Sequence, residues 1–185
     1  MRSIQRLSAL VRGGACEYPE VLLPTLKELA RPINQCITTE RSRLSGAALE
    51  CIALLAEGLA KQFETLVPTF FPTLLAMSTR PNKVFISRAR TCIMAVVEHT
   101  QLPSLLPHLR RAIGDKSKSL RLVSTDATLA CLRCFNPPDL EVNSRAEDIE
   151  AIIRSSAKDS DGDVRKSSRM VFDAYQQVLP DRVDA

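Results

Sequence analysis

A chain of 185 residues is long enough for one continuous hydrophobic core and too short to require two. Apolar residues at 45% and charged residues at 25% are ordinary globular proportions that exclude a disordered chain, and no apolar run approaches the roughly 18 uncharged residues of a membrane span. The formal charge of +4 favours acidic partners without amounting to a polybasic arm.

Aromatic residues make up only 4%, with no Trp, while Leu and Ala abound. The core must therefore be aliphatic, which suits helix-on-helix packing and predicts an all-α fold. In chain order, Ile4, Leu7, Leu10 and Val11 fall at helical spacing and end at Gly13-Gly14, a helix stop. Arg2, Arg6 and Arg12 without an acid give this stretch a superficial likeness to a transit peptide, but the helical spacing is the stronger reading. Three later segments share an apolar-Pro-x-apolar element: Leu23-Pro24-Thr25-Leu26, Phe71-Pro72-Thr73-Leu74 and Leu106-Pro107-His108-Leu109. In the last two, Pro68 and Pro103 stand four residues earlier, and such prolines fit a helix's first turn or a kink.

Each element is followed by a short polar turn and a second amphipathic helix, starting at Leu44, Val84 and Leu120, with a fourth at Val164 after Asp159-Ser160-Asp161-Gly162-Asp163. The starts lie 40, 36 and 44 residues apart, close to the roughly 40 to 47 of HEAT and armadillo units. Ile52, Cys92, Thr128 and Phe172 recur eight positions in, and Leu55, Ala95, Cys131 and Tyr175 eleven in, as expected core positions. Helix pairs of this kind must stack to bury their faces. The predicted architecture is an α-solenoid of HEAT-type helix pairs, a single domain over residues 1–185. It has an incomplete first unit (1–16), pairs at about 17–62, 64–100, 102–135 and 144–180, and no complete sixth unit. Uncapped ends would expose apolar surface and favour self-association. The stretch from Asn136 to Asn143 is the longest connection and reads as a packed turn.

The turns inside the pairs are basic: Arg41 and Arg43; Arg80 and Lys83; Lys116, Lys118 and Arg121; Arg165, Lys166 and Arg169. At one repeat length apart they are expected on one edge of the array, a ladder of cations for an extended acidic surface. A single basic turn is ordinarily just solvated, and four in register shift that balance. Arg165 also sits in Asp161-x-x-Val164-Arg165, a pattern that ties neighbouring HEAT turns together.

Other chemistries are poorly served. Six cysteines in helical patterns are expected as buried thiols of a reducing compartment, and Cys131-x-x-Cys134 lacks the second pair or the histidines of a zinc site. His99 and His108 are the only histidines, His99 falling at a helix end, and no Ser-His-acid, HExxH or Gly-rich phosphate motif is present, so neither an enzyme nor a cofactor is expected. Stacking aromatics are nearly absent from the basic turns, against nucleic-acid binding.

His99-Thr100-Gln101-Leu102-Pro103-Ser104-Leu105-Leu106-Pro107 resembles the linker and opening helix of the fourth HEAT unit in TOG domains of the CLASP family of microtubule-associated proteins. In the same order come Gly14-Ala15-Cys16-Glu17-Tyr18, Arg41-Ser42, Lys83-Val84, Lys116-Ser117 with Arg121, and Asp159 to Arg165. The similarity covers essentially the whole chain and is of the fungal CLASP type. It implies a module that binds αβ-tubulin or the microtubule lattice through these turns, helping to stabilise microtubules by rescue and catastrophe suppression in the cytoplasm, cytoskeleton and mitotic spindle, with neighbouring domains of a longer parent as further partners. The positions implied as contacts are Arg41, Lys83, Lys116, Arg121 and Arg165, then Arg43, Arg80, Lys118, Lys166 and Arg169. The Trp usual in the family's first turn is missing. The alternative is a HEAT scaffold for another protein, with a merely solvated basic edge.

Overall fold

In the first three pairs, prolines decide where the first helix begins or breaks. In the computed structural model, which describes residues 1–183, the helices are α1 (Arg2–Arg12), α2 (Pro19–Glu28), α3 (Ala30–Thr38), α4 (Ser42–Leu59), α5 (Val67–Met77), α6 (Lys83–Thr100), α7 (Leu106–Ala112), α8 (Lys118–Cys134), α9 (Pro137–Leu140), α10 (Asn143–Ala157) and α11 (Gly162–Val178). No strand occurs among the described residues. Pro68, Pro103 and Pro107 stand in first turns, whereas Pro24 and Pro72 lie inside α2 and α5. The first helix of the 17–62 pair is not continuous but divided at Leu29. Pro32 explains the division, since it has no N–H to give the Glu28 carbonyl and its ring would meet that carbonyl in an unbroken helix.

The chain forms two compact units, Met1–Thr100 and the part from Gln101 onward. In the first, α4 is flanked by α1, α3 and α6, and α5 packs on α6. In the second, α8 is flanked by α7, α10 and α11. The apolar residue two places after each repeated proline, Leu26, Leu74 and Leu109, is fully buried. That explains the recurrence of the element: the proline sets the helix path and the leucine anchors it. The 136–143 connection is anchored too, with α9 driving Leu140 into the core. The amino-terminal helix packs Ile4, Ser8 and Val11 inward against α4.

Two expected core positions depart from burial, Ala95 being only partly covered and Phe172 exposed. Ile52, Cys92 and Thr128 are buried as predicted, but Phe172 is 40% exposed. The inward face of α11 is Val164, Ser167, Ser168, Val171 and Tyr175, so Tyr175 stands where expected while the middle core position falls on Val171, one residue before Phe172. The thiols split likewise: Cys51, Cys92 and Cys131 are buried, whereas Cys16, Cys36 and Cys134 are only partly covered. Burial pushes the Cys92 thiol up to about 12 and raises the Cys131 thiol as well, so both behave as small apolar side chains.

The end of α4 combines a tight approach with a strained residue. A Cβ at Gly58 would lie 2.6 Å from Cys16 Sγ and 3.0 Å from Cys16 Cβ. Two residues on, Ala60 takes φ 47° and ψ −123°, a conformation natural only to glycine. Opposite outcomes follow from adding and removing one methyl group. Gly58→Ala forces the Ala15–Glu17 turn off α4 and lowers stability by about 1–2 kcal/mol. Ala60→Gly relieves strain and raises it by about 1 kcal/mol. Urea denaturation of both variants measures the two shifts.

Candidate functional site: the charged intra-repeat turns

Every second helix begins at a turn that must satisfy its free amide groups. Asn82 does so for α6, its Oδ1 accepting from Val84 N at 2.9 Å. Asp161 does so for α11, accepting from Asp163 N at 3.0 Å and Val164 N at 3.4 Å, and Ser117 caps α8. The capping carboxylate of Asp161 is held below the usual range by these amides and by Lys118.

Two arginines then close their own turns from the following helix. The Arg121 Nη1 group donates to the carbonyls of Asp115 and Lys116, both at 3.0 Å, and Arg165 Nη1 donates to those of Asp159 (2.6 Å) and Ser160 (2.9 Å). The geometry repeats one unit later because each arginine stands six and five residues after its acceptors. Asp115 and Asp159 complete the two turns, accepting from the amides of Ser117 and Asp161.

Neighbouring turns within a unit are joined by charge. In the second unit Arg121 is bidentate to Asp159, at 2.6 Å through Nε and 2.9 Å through Nη2. The two side chains are only 14% and 6% exposed. The hydrogen bonds from Arg121 hold the Asp159 carboxyl well below the ordinary range. Lys118 reaches Asp161 at 3.3 Å, but Lys118 is 71% exposed and this pair adds little. In the first unit Arg80 pairs with Glu40 and lies 5.9 Å from the Phe85 ring centre, while Arg88 crosses from α6 to the Ser42 carbonyl. The sequence reading does not single out Arg88, and it marks the exposed Val84 beside Lys83 only as a helix start and part of a motif, not as a contact. An arginine five residues into the helix after a basic turn is the signal that marks Arg88.

The ten cations expected at the turns therefore fall into groups. Arg121 and Arg165 are internal staples, Arg80 and Lys118 are paired across turns, and Arg169 sits in the second turn of α11, away from the loop. The tie between turns expected of Asp161 and Arg165 is made instead by Asp159 with Arg121 and by Asp161 with Lys118, because Arg165 is bound to its own turn. Exposed, and with no ion-pair partner recorded among the described residues, are Arg41, Arg43, Lys83, Lys116 and Lys166.

Helix pairs stacked through buried second helices, with charge concentrated on their internal turns, define an all-α solenoid of HEAT-type units. The chain belongs to the CLASP N-terminal family, whose model matches residues 1–185. It is 26% identical over 96% of its length to protein peg1 of Schizosaccharomyces pombe, and 21% identical over 98% to the CLIP-associating protein of Drosophila melanogaster. It spans 12% of the length of each. A chain solved in work on microtubule plus-end tracking by XMAP215, CLIP-170 and EB1 shares its fold, with a TM-score of 0.69 and 22% identity over 92% of this chain and 78% of the other.

Because the folded carboxyl of Asp159 is depressed, its contribution to stability is complete above the ordinary carboxylate range near pH 4 and disappears as pH falls through the lower folded value. Asp159→Asn is expected to cost about 2 kcal/mol at pH 7 and to flatten the stability profile below about pH 4. Thermal unfolding from pH 2.5 to 7 reads both, and an unchanged acid limb would show that another carboxylate controls it.

Proposed function

We propose that this domain is a single TOG-like module that binds αβ-tubulin or the microtubule lattice by surface complementarity, with no bond made or broken. Membership of the CLASP N-terminal family supports the reading, as does a fold shared with a chain from work on microtubule plus-end tracking. The observation that carries it is the division of labour in the turns. Arg121 and Arg165 hold the 115–117 and 159–161 loops, and exposed lysines are left in or beside the turns: Lys116 in its loop, Lys83 at the start of α6 and Lys166 just inside α11. Lys83, Lys116, Lys166 and Arg41 are the contacts, with Arg43 beside them and Val84 as an apolar neighbour. Acidic tubulin surface would meet these cations, and in a longer parent this binding would serve microtubule stabilisation, by rescue and catastrophe suppression, in the cytoplasm and on the mitotic spindle.

A scaffold for another protein is the second reading. The internal engagement of Arg80 and Arg121 favours it, since those charges are spent on the fold.

Co-elution with purified αβ-tubulin at low salt separates the two. The wild type is expected to bind, each of Lys83→Ala, Lys116→Ala and Lys166→Ala to weaken binding by on the order of 1 kcal/mol, and salt to weaken it further. Helicity stays unchanged in all three. Wild-type protein that is folded yet fails to co-elute, or a triple variant that binds equally well, moves the scaffold ahead.

A further inference from the structure

The exposed Phe172 of α11 belongs to a second charged feature, centred away from Lys83, Lys116 and Lys166. Between α10 and α11 runs a groove of about 600 Å³, floored by Ile153, Ala157 and Phe172. Four cations, Arg154, Lys158, Arg165 and Arg169, line it against one carboxylate, Asp173. Its deepest polar group is already satisfied, as the buried Ser168 hydroxyl shares a 2.8 Å hydrogen bond with Ser156 Oγ. The floor is thus apolar in effect and the polar demand sits at the rim.

The rim demand is for negative charge. Arg154 has only a loose 3.6 Å contact with Glu150, and Arg165 gives one nitrogen to backbone carbonyls. Lys158 and Arg169 are exposed with no ion-pair partner recorded among the described residues. Cations around an exposed aromatic ring match the composition of protein-recognition surfaces, in which Arg and Phe supply anchoring contacts. A purely charged polymer would leave the Phe172 ring and Ile153 uncovered, so the occupant must bring apolar area together with carboxylates.

We propose that this groove docks an acidic peptide segment, with an aliphatic or aromatic side chain laid over Ile153, Ala157 and Phe172 and flanking carboxylates on Lys158, Arg169 and Arg154. The site is independent of the tubulin reading, because it uses none of Lys83, Lys116 and Lys166.

The test uses a fluorescein-labelled 14-residue probe of Glu and Asp with a central Leu-Phe pair, read by fluorescence anisotropy at low salt. Lys158→Glu with Arg169→Glu is expected to weaken binding at least tenfold, and Phe172→Ser similarly. Both changes are at exposed positions, and circular dichroism checks that helicity holds. Replacing the probe's Leu-Phe by Ser-Ser should give a comparable loss, while Lys83→Ala with Lys116→Ala should change nothing. The proposal fails if the wild type does not bind the probe, if charge reversal leaves affinity intact, or if the Ser-Ser probe or an oligonucleotide of equal charge binds as tightly. It fails too if the protein is a dimer that Phe172→Ser renders monomeric, which would make a second copy the occupant.

Discussion

A HEAT-type second helix is apolar on more than one side, so it is stable only when neighbours cover it. Ile52 and Leu55 of α4, and Val123, Ala127 and Cys131 of α8, are essentially inaccessible because these helices lie between others. Helices packed this way stand about 8–10 Å apart. That distance brings the turn at the head of one second helix within side-chain reach of the next. The turn chemistry thus follows from helix burial: Arg121 meets Asp159 because α8 and α11 are packed side by side.

Turns brought so close would repel if each carried only cations. The second unit avoids this by alternating roles, with carboxylates of the 159–161 turn facing Arg121 and Lys118 of the preceding one. The same carboxylates serve their own turn, Asp159 accepting from the Asp161 amide and Asp161 capping α11. One aspartate therefore shapes a loop and fastens it to its neighbour. A loop held at both levels presents its remaining side chains with little ordering left to lose on binding.

The helix pairs were legible because three of them share a local signal, a proline with a leucine two residues later, and all four carry a polar turn and an amphipathic run at intervals of about forty residues. Leu26, Leu74 and Leu109 became core residues for that reason. Register in α11 was not legible. Counting eight positions from Val164 reached Phe172, whereas the buried residue is Val171, and only knowledge of which side α8 occupies separates them. The division at Leu29 was overlooked although Pro32 encodes it, because the neighbouring Pro24 is tolerated inside α2. Among the turn cations, sequence spacing found the loops but could not separate charges facing out from those turned onto backbone carbonyls.

Side-chain chemistry accounts for that last separation. The residues turned inward, Arg88, Arg121 and Arg165, are all arginines: Arg121 and Arg165 each give a guanidinium to two carbonyls of their own turn, and Arg88 gives its to the Ser42 carbonyl at the start of α4. A planar fork of donors can span two carbonyls and a carboxylate at once, as Arg121 does, while an ammonium group is a compact, strongly hydrated charge. The residues left exposed in or beside the turns, Lys83, Lys116 and Lys166, are lysines. Arg41 and Arg43 stay exposed because they precede or open α4 and no turn of their own lies behind them to staple. Arg121 is therefore a structural residue first, and its removal would loosen the loop that presents Lys116.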